Sequence, residues 1–313
     1  MNRNVRVRGG IIALSDERGP PAPRAEGRLS ALRAGCRLPA PHAGRCIVLL
    51  HGFTGNKASW ADVRAALRLS MRVIAVDLPG HGGTRMDGRV FDYSLERTAD
   101  AVVAALDAIG VSRFALAGYS MGGRVALQIA LAHGARVERL ALESASAGLT
   151  TAAARARRRR ADETLAASIE TAGIADFVRR WEELPLFRSL AAAPARTRHA
   201  LRRQRLCCAP AGLAASLRGM GTGVQPWLGD RLGALAMPVV LITGALDRGF
   251  TRIARQLARR LSQARVEVIE GAGHMPHVER PARFLRLIEE FLSVPTARRA
   301  GARHRTQEET HAD

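Results

Sequence analysis

Gly118-Tyr119-Ser120-Met121-Gly122 is the stretch on which the reading of this chain turns. It has the form G-x-S-x-G. The apolar run Phe114-Ala115-Leu116-Ala117 leads into it, and a helix-like run, Arg124 to Ala132, leads out. A strand, a sharp turn and a helix are what a nucleophile elbow needs. The turn leaves no room for a β-carbon at its flanks, so glycine stands there, and the serine is held on a strained corner with its hydroxyl exposed above a sheet. Small residues are common, and the motif alone is weak; its strand–turn–helix setting gives it weight.

The same alternation continues outward. Upstream, Ile47-Val48-Leu49-Leu50 and Val73-Ile74-Ala75-Val76 are short continuous apolar runs, as expected of strands covered on both faces. The first is followed by the loop His51-Gly52-Phe53-Thr54-Gly55 and a helix over Trp60–Leu69, the second by Asp77-Leu78-Pro79-Gly80-His81-Gly82. Leu95, Ala99, Val102, Val103, Leu106 and Ile109 fall at helical spacing, which predicts a helix over 94–109 stopped by Gly110. Downstream, Leu140-Ala141-Leu142, Val239-Val240-Leu241-Ile242 and Val266-Glu267-Val268-Ile269 read as strands, with helices at Ile253–Leu261 and Phe284–Leu292. The fold class is therefore α/β, a mostly parallel central sheet flanked by helices. Between about 150 and 226 the chain is Arg- and Ala-rich and reads as helices only. This predicts a sheet domain made of residues 45–149 and 227–295, interrupted by a helical cap at 150–226. Residues 1–44 carry faint strand signals at Asn4–Arg8 and Ile11–Leu14 before Gly19-Pro20-Pro21-Ala22-Pro23 breaks any regular element. Residues 296–313 are polar and charged, as expected of a disordered tail.

Composition narrows the function. Of 313 residues 47% are apolar, enough for a sizeable core, while only 4% are aromatic, so aliphatic side chains must fill it. The net charge of +20 raises nucleic acid or a membrane surface as partners. Yet Lys57 is the single lysine, the arginines are spread without interleaved aromatics, and alanine is abundant. That pattern reads as compositional bias, and no nucleic-acid partner is expected. Cys36, Cys46, Cys207 and Cys208 form no C-x-x-C and no disulfide framework in a chain of this length. There is no apolar run of 18 residues, so no membrane span, and the run Ile11-Ile12-Ala13-Leu14 is too short for a signal-peptide core. A cytoplasmic protein of undetermined oligomeric state, compatible with a monomer, is the expectation.

A serine nucleophile or base needs a general base and an orienting acid. In such a sheet they follow in the order serine, acid, histidine, each after a strand. Gly271-Ala272-Gly273-His274 and Gly244-Ala245-Leu246-Asp247 meet that rule, which makes Ser120, Asp247 and His274 the candidate catalytic set. His277 is a rival base and Glu143 a rival acid; Asp247 could also be a plain helix N-cap. The oxyanion donors expected are the backbone amides of Met121, just after the serine, and Phe53, in the loop after the first buried strand. His81 reads as a structural loop histidine.

At this point the chain resembles the α/β-hydrolase superfamily, from about Cys46 to Leu292, and within it the MenH family, 2-succinyl-6-hydroxy-2,4-cyclohexadiene-1-carboxylate synthases of menaquinone biosynthesis. His51-Gly52-Phe53-Thr54-Gly55, Leu78-Pro79-Gly80-His81-Gly82 and Gly118 to Arg124 carry the broad resemblance. Glu143 to Leu149, Arg159-Arg160-Ala161-Asp162, Trp181 to Phe187 and Leu217 to Pro226 lie in or beside the predicted cap and carry the narrower one. The resemblance implies a lyase that eliminates pyruvate from 2-succinyl-5-enolpyruvyl-6-hydroxy-3-cyclohexene-1-carboxylate, a small polycarboxylate, with no metal or cofactor. Arginine suits such a substrate, having permanent charge and a fixed fork of donors. Arg124 lies one helical turn past Ser120. In the cap, Arg155 and Arg157-Arg158-Arg159-Arg160 cannot all share a face, at ~100° per residue. By its spacing to Trp181, Arg158 best matches the family's substrate arginine; Arg205 is next, with Arg202 as its rival. A solvated helix face is the plain alternative for each. Tyr119 and Trp181 would line the pocket. The departure is at the N-terminus: the family reaches His-Gly within about 25 residues through a hairpin, whereas here 50 residues come first.

Overall fold

The continuous apolar runs form the middle of one sheet because every side chain there has a core to enter. The computed structural model describes residues 1–18 and 45–294; the proline-rich break at 19–23, Cys36 and the polar tail lie outside them. Six strands run parallel: β3 (Cys46–Leu50), β4 (Arg72–Val76), β6 (Phe114–Tyr119), β7 (Val137–Glu143), β8 (Val239–Gly244) and β9 (Ala264–Ile269). At one side the hairpin β1 (Asn2–Val7) and β2 (Gly10–Glu17) adds antiparallel strands, and the short β5 (Arg85–Met86) pairs with β2. The order is β1-β2-β4-β3-β6-β7-β8-β9. The first strands are thus longer than the faint signals at 4–8 and 11–14, and the hairpin joins the sheet through β2 against β4. The additional length before His51 falls in residues 19–44.

Alternation along each central strand feeds two cores. Val48 and Leu50 enter the one packed by α2 (Leu95–Ala108), α3 (Met121–Ala132) and α7 (Arg248–Ala258). Ile47 and Leu49 enter the other, packed by α1 (Ala61–Leu67) and α8 (Pro281–Ser293). The observed helices sit within a few residues of those predicted. α7 begins five residues earlier than its apolar pattern, because the Asp247 side chain caps it by accepting the Phe250 amide at 3.1 Å. Gly110 takes a left-handed φ of 70° just past α2.

Between β7 and β8 the chain is helical: α4 (Ala152–Glu182), a 3₁₀ turn (Pro185–Ala192), α5 (Ala195–Leu206) and α6 (Pro210–Met220). α4 is interrupted at Gly173, whose φ of 80° is not helical. α4 and α6 share a small core of their own in which Ala166, Ile169, Phe177, Leu213 and Leu217 are buried, while Phe187 and Leu190 of the 3₁₀ turn join one of the sheet cores. Among the described residues no helix is long and apolar enough to cross a membrane.

Candidate active site

The elbow is built by two glycines. A β-carbon on Gly118 would lie 2.3 Å from the Gly122 carbonyl oxygen. One on Gly122 would lie 2.3 and 2.4 Å from the carbonyl oxygens of Leu50 and His51, so α3 starts in direct contact with the end of β3. Ser120 sits between them at φ 50°, ψ −108°, a conformation non-glycine residues rarely hold.

His274 and Asp247 reach Ser120 from the ends of β9 and β8. His274 Nε2 lies 3.2 Å from Ser120 Oγ, and His274 Nδ1 lies 2.7 Å from Asp247 Oδ2. The carboxylate can only accept, so it places the proton on Nδ1 and leaves Nε2 basic toward the serine. Asp247 meets both readings at once: Oδ2 takes the histidine while Oδ1 caps α7. The rivals, Glu143 and His277, bond each other. Glu143 Oε1 accepts the His277 amide at 2.9 Å and its Nδ1–H at 2.8 Å, with Trp60 stacked on that imidazole at 4.5 Å. Neither side chain hydrogen-bonds Ser120 Oγ.

Met121 opens α3, where its amide has no intrahelical acceptor. Phe53 follows β3 in a turn closed by Gly55 N–H on the Gly52 carbonyl at 3.0 Å, which does not use the Phe53 amide. The contact of Gly122 with the carbonyls of Leu50 and His51 brings these two donors to the same corner. Two anchors hold the Phe53 loop. His51 Nε2 accepts the Leu78 amide at 3.0 Å while Nδ1–H donates to the Gly52 carbonyl at 2.8 Å. The lone lysine, Lys57, gives Asp77 both its amide and its ammonium at 2.6 Å. Burial alone would push the Asp77 carboxyl up; Lys57 and the Gly83 amide outweigh it and hold it below the usual range. His81 is buried against His51 and Phe53, and desolvation with the neighbouring His51 brings it down to about 3, so its ring is neutral.

Tyr119 is buried with its ring against Gly52 and edge-on to His274 at 5.5 Å. Its phenol is pushed up by burial. Trp181 packs on Phe53, Phe177 and Phe187 at 5.3–5.6 Å, and its buried indole N–H has no acceptor among the described residues. Arg124 is buried, and one guanidinium nitrogen donates to the Met220 carbonyl at 2.6 Å and to Gln225 Oε1 at 2.8 Å. Part of its donor fork is therefore spent holding the segment that returns from α6. Burial and the nearby Arg158 bring it down to about 10. Arg158 itself is half exposed and pairs with Asp162 at 2.7 Å, while Asp162 also accepts the Gly223 amide. Arg155 turns back to the carbonyls of Leu149 and Thr150, and Arg157, Arg159 and Arg160 are exposed. Arg205, by contrast, is buried over the Phe187 ring and paired with Glu182 at 3.0 Å.

Three residues near the site escaped the sequence reading. Phe250 and Phe187 pack edge-on to His274 at 4.6 and 6.1 Å. Glu279, buried, accepts the amides on either side of that histidine, Gly273 at 2.8 Å and Met275 at 3.0 Å. Its only sequence signal was a carboxylate five residues past a motif histidine. Glutamine offers one acceptor where two amides need one each, and an amide left unpaired in a buried site costs ~1–3 kcal/mol. Glu279→Gln is expected to lower kcat about tenfold with little change in KM, and to broaden the downfield proton resonance of His274 Nδ1–H. A fall in melting temperature with kcat and that resonance unchanged would reduce Glu279 to a purely structural part.

The alpha/beta hydrolase family model matches residues 47–287. A Bacillus subtilis protein named as a putative 2-succinyl-6-hydroxy-2,4-cyclohexadiene-1-carboxylate synthase is 39% identical over 253 residues, 81% of this chain and 92% of that protein. The synthase of that name from Salmonella typhimurium is 33% identical over 79% of this chain and 94% of its own length. Among solved structures, MenH from S. aureus is similar with a TM-score of 0.77 and 32% identity, over 82% of this chain and 97% of that one. A thermophilic esterase from Thermogutta terrifontis is similar with a TM-score of 0.74 and 25% identity, over 93% and 98%.

Proposed function

This chain belongs to the alpha/beta hydrolase family and, within it, to the family of the 2-succinyl-6-hydroxy-2,4-cyclohexadiene-1-carboxylate synthases, and from that premise we propose that it is itself the carbon–oxygen lyase of that step in menaquinone biosynthesis. The observation that carries the reading is the extent of the likeness. A match of 253 residues covering 92% of the relative takes in the helical insertion as well as the sheet, and the insertion is where such enzymes differ in substrate.

The geometry supports one chemical route. His274 Nε2, basic because Asp247 holds the other nitrogen protonated, takes the proton of Ser120 Oγ across 3.2 Å. The serine oxygen then removes the proton α to the succinyl carbonyl. Negative charge develops on that carbonyl oxygen, and the Phe53 and Met121 amides stabilise it. The electron pair moves through the ring and breaks the bond to the enolpyruvyl oxygen. The leaving enolate takes a proton and departs as pyruvate, and the proton held by His274 restores the balance. No acyl-enzyme forms; general-base chemistry asks only for position and a matched pKa. Arg124 supplies buried positive charge for a carboxylate, with Arg158 and Arg205 as further cations; Tyr119 and Trp181 supply the apolar walls.

The test is pyruvate release, followed through lactate dehydrogenase and NADH, from the enzymatically prepared succinyl-enolpyruvyl-cyclohexene carboxylate. Stoichiometric pyruvate with the absorbance of a conjugated cyclohexadiene is the expected result. Fast cleavage of p-nitrophenyl esters without pyruvate would replace the lyase reading with an esterase working through an acyl-serine.

A further inference from the structure

Between the end of α4, the 3₁₀ turn Pro185–Ala192 and α5 lies a cavity of about 610 Å³, within the size range of small-molecule sites. Phe187, Leu190 and Leu201 give it apolar walls. Arg188, Arg198, Arg202 and Arg205 line it against two carboxylates, Glu182 and Glu183. Glu182 alone answers two of the guanidiniums, Arg205 at 3.0 Å and Arg202. Arg198 is held by the carbonyls of Ala191 and Ala193, at 2.7 and 3.1 Å, which position it without neutralising it. Arg188 makes no ion pair among the described residues. The cavity therefore has apolar walls and surplus guanidinium charge, the combination that suits an organic anion with more than one carboxylate.

Phe187, Leu201 and Arg205 also border a second space, a crevice of about 20 Å³ that reaches Gly52, Phe53 and Tyr119. Arg205 sits over the Phe187 ring at 5.2 Å, and that ring lies 6.1 Å from His274. The wall between the arginine-lined chamber and the oxyanion corner thus includes one aromatic ring and one arginine, and Glu182 holds that arginine.

We propose that the chamber is an outer binding site for polycarboxylate anions and that Glu182 is their competitor. Glu182 occupies Arg205 until an incoming carboxylate displaces it, and Arg205 then accompanies the ligand toward Ser120. The exchange keeps Arg205 paired throughout, which matters because a buried guanidinium stripped of its partner is costly. The choice of ligand class rests on the lyase reading; the chamber and its charge do not.

The experiment reads binding rather than turnover. Citrate, a tricarboxylate, is titrated calorimetrically into the full chain at low salt. Arg188→Glu is expected to weaken citrate about tenfold or more, while Arg188→Lys largely preserves it. Glu182→Gln, which removes the competitor, is expected to tighten citrate about tenfold, a gain that misfolding cannot imitate. The proposal is overturned if the unaltered chain does not bind citrate, if neither Arg188→Glu nor Glu182→Gln moves the affinity, or if Glu182→Gln weakens it. Citrate binding that follows these expectations in a chain releasing no pyruvate would retain the chamber and dismiss the lyase. Pyruvate release with citrate indifferent to these residues would do the reverse.

Discussion

Ser120→Ala is expected to lower turnover by ~10³-fold or more while the protein keeps its fold. The loss is large because nothing nearby can substitute. His274 has its basic nitrogen aimed at Ser120 Oγ, and the rival acid and imidazole, Glu143 and His277, bond each other instead. Asp247→Asn should be of comparable size, and the dual role of Asp247 explains why. If the asparagine oxygen keeps the cap on Phe250, its NH₂ faces His274 and drives the imidazole to the wrong tautomer. If the oxygen faces His274, α7 loses its cap. In a related constellation on another fold the same exchange costs ~10⁴-fold. Single-turnover pyruvate release, with circular dichroism and melting temperature as controls for folding, measures both. A Ser120→Ala protein within tenfold of the unaltered chain would show that the serine oxygen neither removes the proton nor attacks a carbonyl.

Gly122→Ala should be among the most damaging single methyl additions at the site. The added carbon would meet two backbone carbonyl oxygens, those of Leu50 and His51, at 2.3 and 2.4 Å. Backbone in the middle of a sheet does not swing aside as a side-chain tip does. β3 is hydrogen-bonded to β4 on one side and β6 on the other, so α3 must retreat. That retreat carries Ser120 away from His274 and separates the Met121 amide from the Phe53 loop. Overpacking of this kind typically costs 1–3 kcal/mol where side chains can adjust, and more where they cannot. The expected result is a protein recovered mainly as insoluble material, or a soluble fraction melting many degrees lower with turnover near the Ser120→Ala level. A soluble Gly122→Ala protein with unaltered melting temperature and turnover would mean that the start of α3 is looser than this packing implies.

Much of this was readable before any coordinates. Ile47–Leu50, Val73–Val76 and Val239–Ile242 had to be central strands, because a run of apolar residues with no polar alternate needs a core on each face, and both cores are there. The G-x-S-x-G turn was legible for a similar reason: the requirement for glycine is local and steric. The order of Ser120, Asp247 and His274 followed from strand ends, since parallel strands deliver the residues after them to one edge of the sheet. The hairpin at 2–17 was only faintly legible, since its first strand carries arginines and asparagines on an exposed face and takes its identity from pairing.

What tertiary structure alone decided concerns partners far apart in sequence. That Glu143 and His277 bond each other, 134 positions apart, removes them as rivals to Asp247 and His274. That Glu279 braces both amides beside His274 is invisible in a string of letters, because a carboxylate five residues from a histidine has many other uses. The arginines show the limit most plainly. In so Arg-rich a sequence, composition cannot tell a solvated side chain from a buried one. Only packing sets Arg124 against Met220 and Gln225, leaves Arg158 half in water beside Asp162, and buries Arg205 between Phe187 and Glu182. The chemistry of the serine was written in local sequence because backbone geometry is local. Which charges face the ligand was not, because burial and pairing belong to the assembled chain.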